Sequence, residues 1–368
     1  MSLAKAPPVF IVGGGIIGLL SARALIHAGR RVAILERQQI GQESSWAGGG
    51  ILSPLYPWRY PEAVNQLAFW GQAHYPQLVQ DLEKNTGIDA QWRQSGMLIL
   101  GEHEQQPALK WAADHHLPMQ LLQSPALMAH EPGLSTHSAG LLLPAVAQIR
   151  NPRLLKALRQ DLLQTGATIN EQVSVTGFSR ERGQLTEILT TNGVIAATEC
   201  LITAGAWSGA LARAAGLQLP INPVRGQMLL LRARPETLRH IILKDDRYLI
   251  PRGDGRILVG STIEHAEFDK STTTDARAEL LRAATQLMPS LKDSAIEHHW
   301  AGLRPGSPEG IPYIGEHPKI RGLFVCAGHY RNGIVLGPAS ARLAADLILR
   351  RTPVFDPTPY QLPPTLTP

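Results

Sequence analysis

The stretch VFIVGGGIIGLLSARALIHAGRRVAILER, residues 9–37, constrains the fold more than any other part of the chain. Val9 to Val12 form a short apolar run of β-branched and aromatic residues, the pattern of a strand buried on both faces. Gly13, Gly15 and Gly18 follow as G-x-G-x-x-G. Leu19, Ala22, Leu25 and Ile26 then recur at helical spacing, and Gly29 stands where a helix would stop. Val32 to Leu35 make a second apolar run, closed by Glu36. Strand, glycines, helix, strand and acid occur in the order a dinucleotide site requires. Glycines permit the tight turn, the helix N-terminus favours a pyrophosphate, and the acid accepts hydrogen bonds from ribose hydroxyls. Glu36 would repel a 2′-phosphate, so FAD and NAD remain.

The next segment, IGQESSWAGGGILSP at 40–54, offers the hydroxyls of Ser44 and Ser45 and the backbone amides of Gly48, Gly49 and Gly50. A second amide-rich loop suits a long cofactor held beyond its pyrophosphate. Trp46, Ile51 and Leu52 argue against a free surface loop, because their apolar area favours burial.

With 368 residues the chain is long enough for one large or two ordinary domains and for a core without disulfide staples. Its only cysteines, Cys200 and Cys326, have no CxxC spacing, which excludes a disulfide framework and a typical structural zinc site. The adjacent pairs His115-His116 and His298-His299 lack the helical spacing of a two-histidine metal site. No metal is expected. A net charge of +5 is spread in single residues and pairs rather than in a basic stripe, so no nucleic-acid partner is expected. The opening MSLAKAPP shows no signal-peptide pattern, and the following apolar run is short and broken by glycines. A cytoplasmic setting without a membrane partner is the expectation.

Downstream, GMLILGE, QMLLLRA, RYLIPR and RILVGST read as strands, with Arg252-Gly253-Asp254-Gly255 as the turn between the last two. VSVTGF, QLTEILTT and GVIAATECLIT read as a meander, with Asn192-Gly193 marking a hairpin and Cys200 on its last strand. GLFVCAG is a further buried strand, followed by the loop GHYRNG and a helix carrying Leu343, Ala344, Leu347 and Ile348. Arg304 falls between a small apolar run and a turn of Pro305, Gly306, Ser307 and Pro308. By local sequence alone it reads as a structural ion pair, with Glu309 or a helix C-terminus.

Six segments together carry a family resemblance. They are VGGGIIG, ESSWAGGGIL, TAGAWSG (203–209), PVRGQMLLL (223–231), AGLRPGSPEGIPYIG (301–315) and AGHYRNGIVLGPASARLAADLI (327–348). In residues and order the chain resembles the glycine oxidase branch of the FAD-dependent D-amino-acid oxidase family, and FDPTPYQ at 355–361 resembles the family's tail. The resemblance implies an α/β plus α+β fold, in which a Rossmann-like FAD-binding domain carries an inserted antiparallel-sheet substrate domain. The implied FAD domain is discontinuous, at 1–84, 145–219 and 305–368, with the substrate domain at 85–144 and 220–304.

The resemblance also implies noncovalent FAD, since SPEGIPYIG lacks the cysteine through which some relatives attach it. It adds Ile16, Ile17, Arg37, Ile51, Val175, Gly205 and Trp207 to the cofactor contacts. It adds Gly328, His329, Tyr330, Arg331, Asn332, Gly333, Ile334 and Val335 beside the flavin ring. Leu52 and Ser53 are expected to narrow the pocket with Ile51. Arg304 becomes the anchor for a substrate α-carboxylate, because its planar fork forms two parallel hydrogen bonds. Tyr248 is a second donor to that carboxylate, and Arg331 contacts substrate or flavin.

The implied reaction oxidises glycine, sarcosine, N-ethylglycine or a small D-amino acid by hydride transfer from the α-carbon to flavin N5. It gives an imine, then a keto acid, ammonia and hydrogen peroxide, with oxygen as the second partner. In that branch the imine of glycine feeds assembly of the thiamine thiazole ring, and members are often homotetramers. Two alternatives share the fold: a D-amino-acid dehydrogenase passing electrons to a quinone, and a tRNA-modifying FAD oxidoreductase. A third reading is a flavin-binding protein without a redox role.

Overall fold

The computed structural model describes residues 7–135 and 139–364. The ends of the expected first and last FAD segments, and residues 136–138 of the expected substrate segment, lie outside the described residues.

Two large sheets organise the chain. The first has six strands in the order Tyr313–Glu316, Leu323–Ala327, Cys200–Ile202, Val9–Val12, Val32–Leu35 and Thr168–Asn170. All neighbours run parallel except the first pair, which is antiparallel. Its central runs are apolar at every position because both faces are covered. Val9 and Ile11 face helices Ile16–His27, Glu62–Thr86, Asn151–Gln164 and Gly333–Ile348. Phe10 and Val12 face the other way, into a core with Leu185, Ile188 and Ala212.

That second cover is a three-stranded meander, Val175–Glu181, Gln184–Thr190 and Gly193–Ala196. The expected hairpin at Asn192-Gly193 is present between its last two strands. GVIAATECLIT, however, is two strands rather than one. Gly193–Ala196 closes the meander, while Cys200–Ile202 joins the parallel sheet beside Val9–Val12. A buried apolar run takes the inner sheet and an exposed one the edge, so Cys200 belongs to the core sheet and not to the meander.

The second sheet has eight strands, in the order Ala295–Gly306, Asn222–Arg232, Arg256–Gly260, Arg247–Pro251, Ile241–Lys244, Met97–Leu100, Gly140–Leu143 and Gln120–Leu122. It is antiparallel except where Ile241–Lys244 meets Met97–Leu100. Strand alternation divides its side chains between two cores. Leu229, Leu231, Leu249 and Val259 pack under helix Thr274–Leu287 with Leu280 and Ala284. Met228, Tyr248, Ile250 and Leu258 face the opposite side, with Leu55 and Tyr56.

Candidate functional site

A cavity of about 440 Å³ runs between the two sheets. Its first wall is the glycine turn. Gly13 has φ +108, and a Cβ there would lie 2.6 Å from the Thr203 carbonyl oxygen. At Gly18 a Cβ would lie 2.8 Å from Thr203 Oγ1 and would strike the Gly13 carbonyl. Gly18 therefore serves helix-to-strand packing and does not line the cavity, whereas Gly13, Gly15, Ile16 and Ile17 do. Glu36 accepts from Gly14 N–H at 2.7 Å and Gln38 N–H at 2.9 Å. Each carboxylate oxygen keeps a second lone pair for a further donor. Ser45 Oγ accepts from Ile16 N–H at 2.9 Å, so this hydroxyl already serves the helix start. Beyond Glu36, the Arg37 guanidinium sits 3.5 Å from the Trp207 ring centroid and pairs with Glu43 at 2.6 Å. Val175 and Gly205 line the same end.

The second wall is the loop of glycines. Ser44–Ala47 is one helical turn, and Gly48, Gly49 and Gly50 follow it. Asn151 Nδ2 donates to the carbonyls of Ser45 and Gly48 at 2.9 and 3.0 Å. Arg252 reaches in from the eight-stranded sheet and donates to the carbonyls of Gly49 and Ile149 at 2.8 and 3.1 Å. Gly49 also admits the close approach of Ile250, since a Cβ would lie 2.6 Å from Ile250 Cδ1. Ile51 and Ser53 line the cavity, but Leu52 does not. Leu52 sits in the bend after Ile51 and is buried in the helix-covered core.

The third wall is the loop after Leu323–Ala327. Gly328 has φ +89 and Tyr330, unusually for a side-chain-bearing residue, φ +47. Gly328, His329, Tyr330, Arg331, Asn332, Gly333 and Ile334 all line the cavity. Val335 does not; it is buried against the Glu62–Thr86 helix, where Gly71 gives its carbonyl room. Three buried atoms here have no hydrogen-bond partner: His329 Nε2, Arg331 Nη2 and Asn332 Nδ2. Burial pushes the His329 imidazole down to about 3, so it is neutral. Unpaired buried polar groups are costly, and three in one loop fit a polar group bound against it. With the glycine turn and Glu36, this donor set fits FAD.

The fourth wall comes from the eight-stranded sheet. Arg304 lies on Ala295–Gly306, which continues as strand through Pro305 and Gly306 where the sequence suggested a turn. The turn begins only at Pro308. The Arg304 guanidinium crosses Gly226, where a Cβ would strike it. Its Nη2 donates to Ser261 Oγ at 2.7 Å, and its Nη1 to the carbonyls of Arg225 and Thr262 at 3.3 and 3.2 Å. All three acceptors are neutral. Among the described residues Arg304 has no carboxylate partner, so the ion pair suggested by local sequence is absent. Burial lowers its pKa, but a guanidinium stays charged at neutral pH. Tyr248 sits beside it with its hydroxyl 3.8 Å from Met228 Sδ. Gly260 stands between those two residues across the sheet, and only its missing side chain lets the phenol lie there. Arg331 Nη1 meets Asp246 at 3.2 Å.

Arg304, Tyr248 and Arg331 thus line one cavity, with Ile51, Ser53, Leu55 and Met228 as neighbours. Gly226, Met228, Leu55, Ser261 and Gly260 were not foreseen. Gly226 and Met228 share a strand face with Val224, which pairs directly with Arg304, so alternation along PVRGQM was the available signal. Nothing local marked Ser261. Among the described residues no cluster of three or more His, Cys, Asp or Glu could hold a metal, and no helix is long and apolar enough to cross a membrane.

The family described as FAD dependent oxidoreductase matches residues 8–347. Glycine oxidase of Pseudomonas putida is 46% identical over 354 residues, covering 96% of this chain and 97% of that protein. Glycine oxidase of Pseudomonas aeruginosa is 47% identical over the same length. The crystal structure of glycine oxidase from Geobacillus kaustophilus superposes with a TM-score of 0.92 at 32% identity, covering 96% of this chain and 98% of that one. The chain is also 34% identical to a bifunctional ThiO/ThiG protein of Synechocystis, spanning 51% of it.

Proposed function

From the premise that the chain belongs to the FAD-dependent oxidoreductase family, we propose that it oxidises glycine and other small amines bearing an α-carboxylate. It is an enzyme with FAD as its cofactor. The net reaction of the proposal is glycine, oxygen and water giving glyoxylate, ammonia and hydrogen peroxide. One observation carries it: among the described residues, Arg304 is a cavity-lining cation held by neutral acceptors and no carboxylate, with Tyr248 alongside.

A substrate carboxylate supplies the anion Arg304 lacks. Ser261 and the two carbonyls hold the fork in place, so little orientation is lost when it binds. Tyr248 exchanges its weak contact with Met228 for a hydrogen bond to the same carboxylate. Leu55, Ile51 and Met228 set the size of the side chain that fits. Gly13, Gly15, Glu36 and the 328–332 loop would hold FAD, which would supply the hydride acceptor for the substrate α-carbon. The donors of the 328–332 loop favour negative charge on that face of the cavity. No side chain has to remove the α-proton. Cys326 lines the cavity, but burial raises its thiol pKa and its Sγ lies 3.8 Å from the Ser340 carbonyl, which supports noncovalent FAD.

The reading extends to organisation and setting. The six-stranded sheet with its helices and meander is the FAD domain, and the eight-stranded sheet is the substrate domain. Within the proposal the enzyme is homo-oligomeric and cytoplasmic, and its imine product feeds thiazole assembly; similarity to a ThiO/ThiG protein supports the last of these.

The test is peroxide formation by the holoprotein with glycine, sarcosine, N-ethylglycine, D-alanine, D-proline and bulky D- and L-amino acids. Turnover of the small substrates, with kcat/KM falling at least a hundredfold in Arg304→Ala, is expected from loss of a bidentate charged contact. Turnover confined to bulky D-amino acids overturns the substrate assignment. Dye reduction without peroxide favours the dehydrogenase alternative.

A further inference from the structure

Residues 261–273 connect the Arg256–Gly260 strand to the Thr274–Leu287 helix and reach from the substrate sheet to the far end of the cavity. Their base is firmly held. Arg225 and Glu264 exchange backbone hydrogen bonds of 2.9 and 3.0 Å. The Arg225 guanidinium, 9% exposed, binds Glu264 and Asp269. Gln227 donates to Glu264 at 2.9 Å and accepts from Thr273 N–H at 2.9 Å.

The tip of this segment is different. Phe268, 47% exposed, stacks on Trp207 with centroids 5.4 Å apart. The Lys270 ammonium, 42% exposed, lies 3.2 Å from both carboxylate oxygens of Glu43. Trp207 also carries Arg37, and Arg37 pairs with Glu43. These contacts, with the two-residue step of chain from Phe268 to Lys270, close a ring from Arg37 through Trp207 and Phe268 to Lys270, Glu43 and back. Arg37, Glu43 and Trp207 line the cavity next to Glu36; Phe268 and Lys270 do not.

We infer that residues 261–273 form a clasp over the Glu36 end of the cavity, with Phe268 and Lys270 as latches that retain FAD. The inference rests on FAD occupying this cavity. Its base spans the substrate sheet, while its latches grip only residues that line the FAD end. Opening the latches is a swing of the Phe268 and Lys270 side chains, which breaks one exposed aromatic stack and one exposed ion pair, both weak, while the Arg225 contacts to Glu264 and Asp269 persist. The clasp therefore opens without unfolding the sheet behind it, and it limits how fast FAD leaves.

The experiment follows FAD release from the holoprotein by the rise of free-flavin fluorescence on dilution, and FAD uptake by the apoprotein. Wild-type uptake of FAD first establishes occupancy, independently of any amine substrate. Phe268→Ala is expected to release FAD about threefold to tenfold faster, the range of one aromatic pair. Lys270→Gln is expected to release it about twofold to fivefold faster. Uptake should be unchanged or faster in both, because a latch hinders passage in each direction. Added salt should speed wild-type release more than release from Lys270→Gln. Wild-type release from the double variant overturns the inference. So does slowed uptake, which would make the two residues part of the docking surface rather than latches.

Discussion

Arg304 and His329 face the same cavity in opposite electrical states. Arg304 keeps its charge because arginine does not lose it, and its partners are neutral. His329 is neutral because burial disfavours the charged ring. Each state gives a prediction. Gly226→Ala would push a methyl group into the Arg304 guanidinium. The expected result is a rise in KM for glycine of roughly tenfold or more, the loss of one charged, oriented contact, measured by steady-state peroxide formation. Ser261→Ala should raise KM by a smaller factor, about threefold to tenfold, since one neutral hydrogen bond is lost.

For His329 the folded pKa of about 3 lies below the ordinary 6.5, so the unfolded chain takes up the proton first. The stability from burying the neutral ring is complete above pH 6.5 and is lost as pH falls through 6.5 toward 3. Urea unfolding of the apoprotein between pH 7.5 and 5 should show declining stability. The slope, up to about 1.4 kcal/mol per pH unit, should flatten in His329→Gln.

At the scale of elements, packing is set by absences as much as by side chains. Gly260 lies between Met228 and Tyr248 across three strands, and its bare Cα lets the phenol rest there. Gly260→Ala should displace Tyr248, lowering kcat/KM with little effect on FAD affinity by fluorescence titration. Arg252 ties the bridged segments around Ile51 and Gln148 to the end of the Arg247–Pro251 strand, through carbonyls of Gly49 and Ile149 and the Gln148 side chain at 2.7 Å. Its Nε has no partner, and burial draws its pKa down to about 9, still charged at neutral pH. Arg252→Met should loosen the Gly48–Gly50 loop and lower stability by about 2–5 kcal/mol, because several buried carbonyls lose their donor. Chemical denaturation measures that directly.

Across the whole molecule, the cavity joins residues from the chain's beginning, middle and end, so its ligand couples to global stability. FAD at a hundredfold excess over its Kd should add about 2.7 kcal/mol to the unfolding free energy. The thermal midpoint should rise with FAD concentration, by about 1–2 °C per kcal/mol, since unfolding entropy grows with chain length. The gain should shrink in Gly13→Ala, where the new Cβ meets the Thr203 carbonyl.

The sequence by itself determined the cofactor sheet's first half, because glycine turn, helix and acid act within some thirty neighbouring residues. Resemblance across six segments extended that to Arg304, Arg331 and the 328–334 loop, with Tyr248 read beside them as a phenol on the substrate-domain sheet; all of them line the cavity. Long-range pairing decided the rest. Alternation shows that Gly226 and Met228 share a face, but only register with Arg304 and Gly260 aims that face at the cavity. Gly18 and Val335 belong to matching motifs yet sit on the core side of their helices, since neighbouring helix positions face different directions, and Leu52 packs into the core from the bend after Ile51. Ser261 bore no local mark, because its part depends on a guanidinium arriving from a strand more than forty residues away. Cys200 looked like meander and became core sheet for a related reason: which sheet takes an apolar run depends on what covers it.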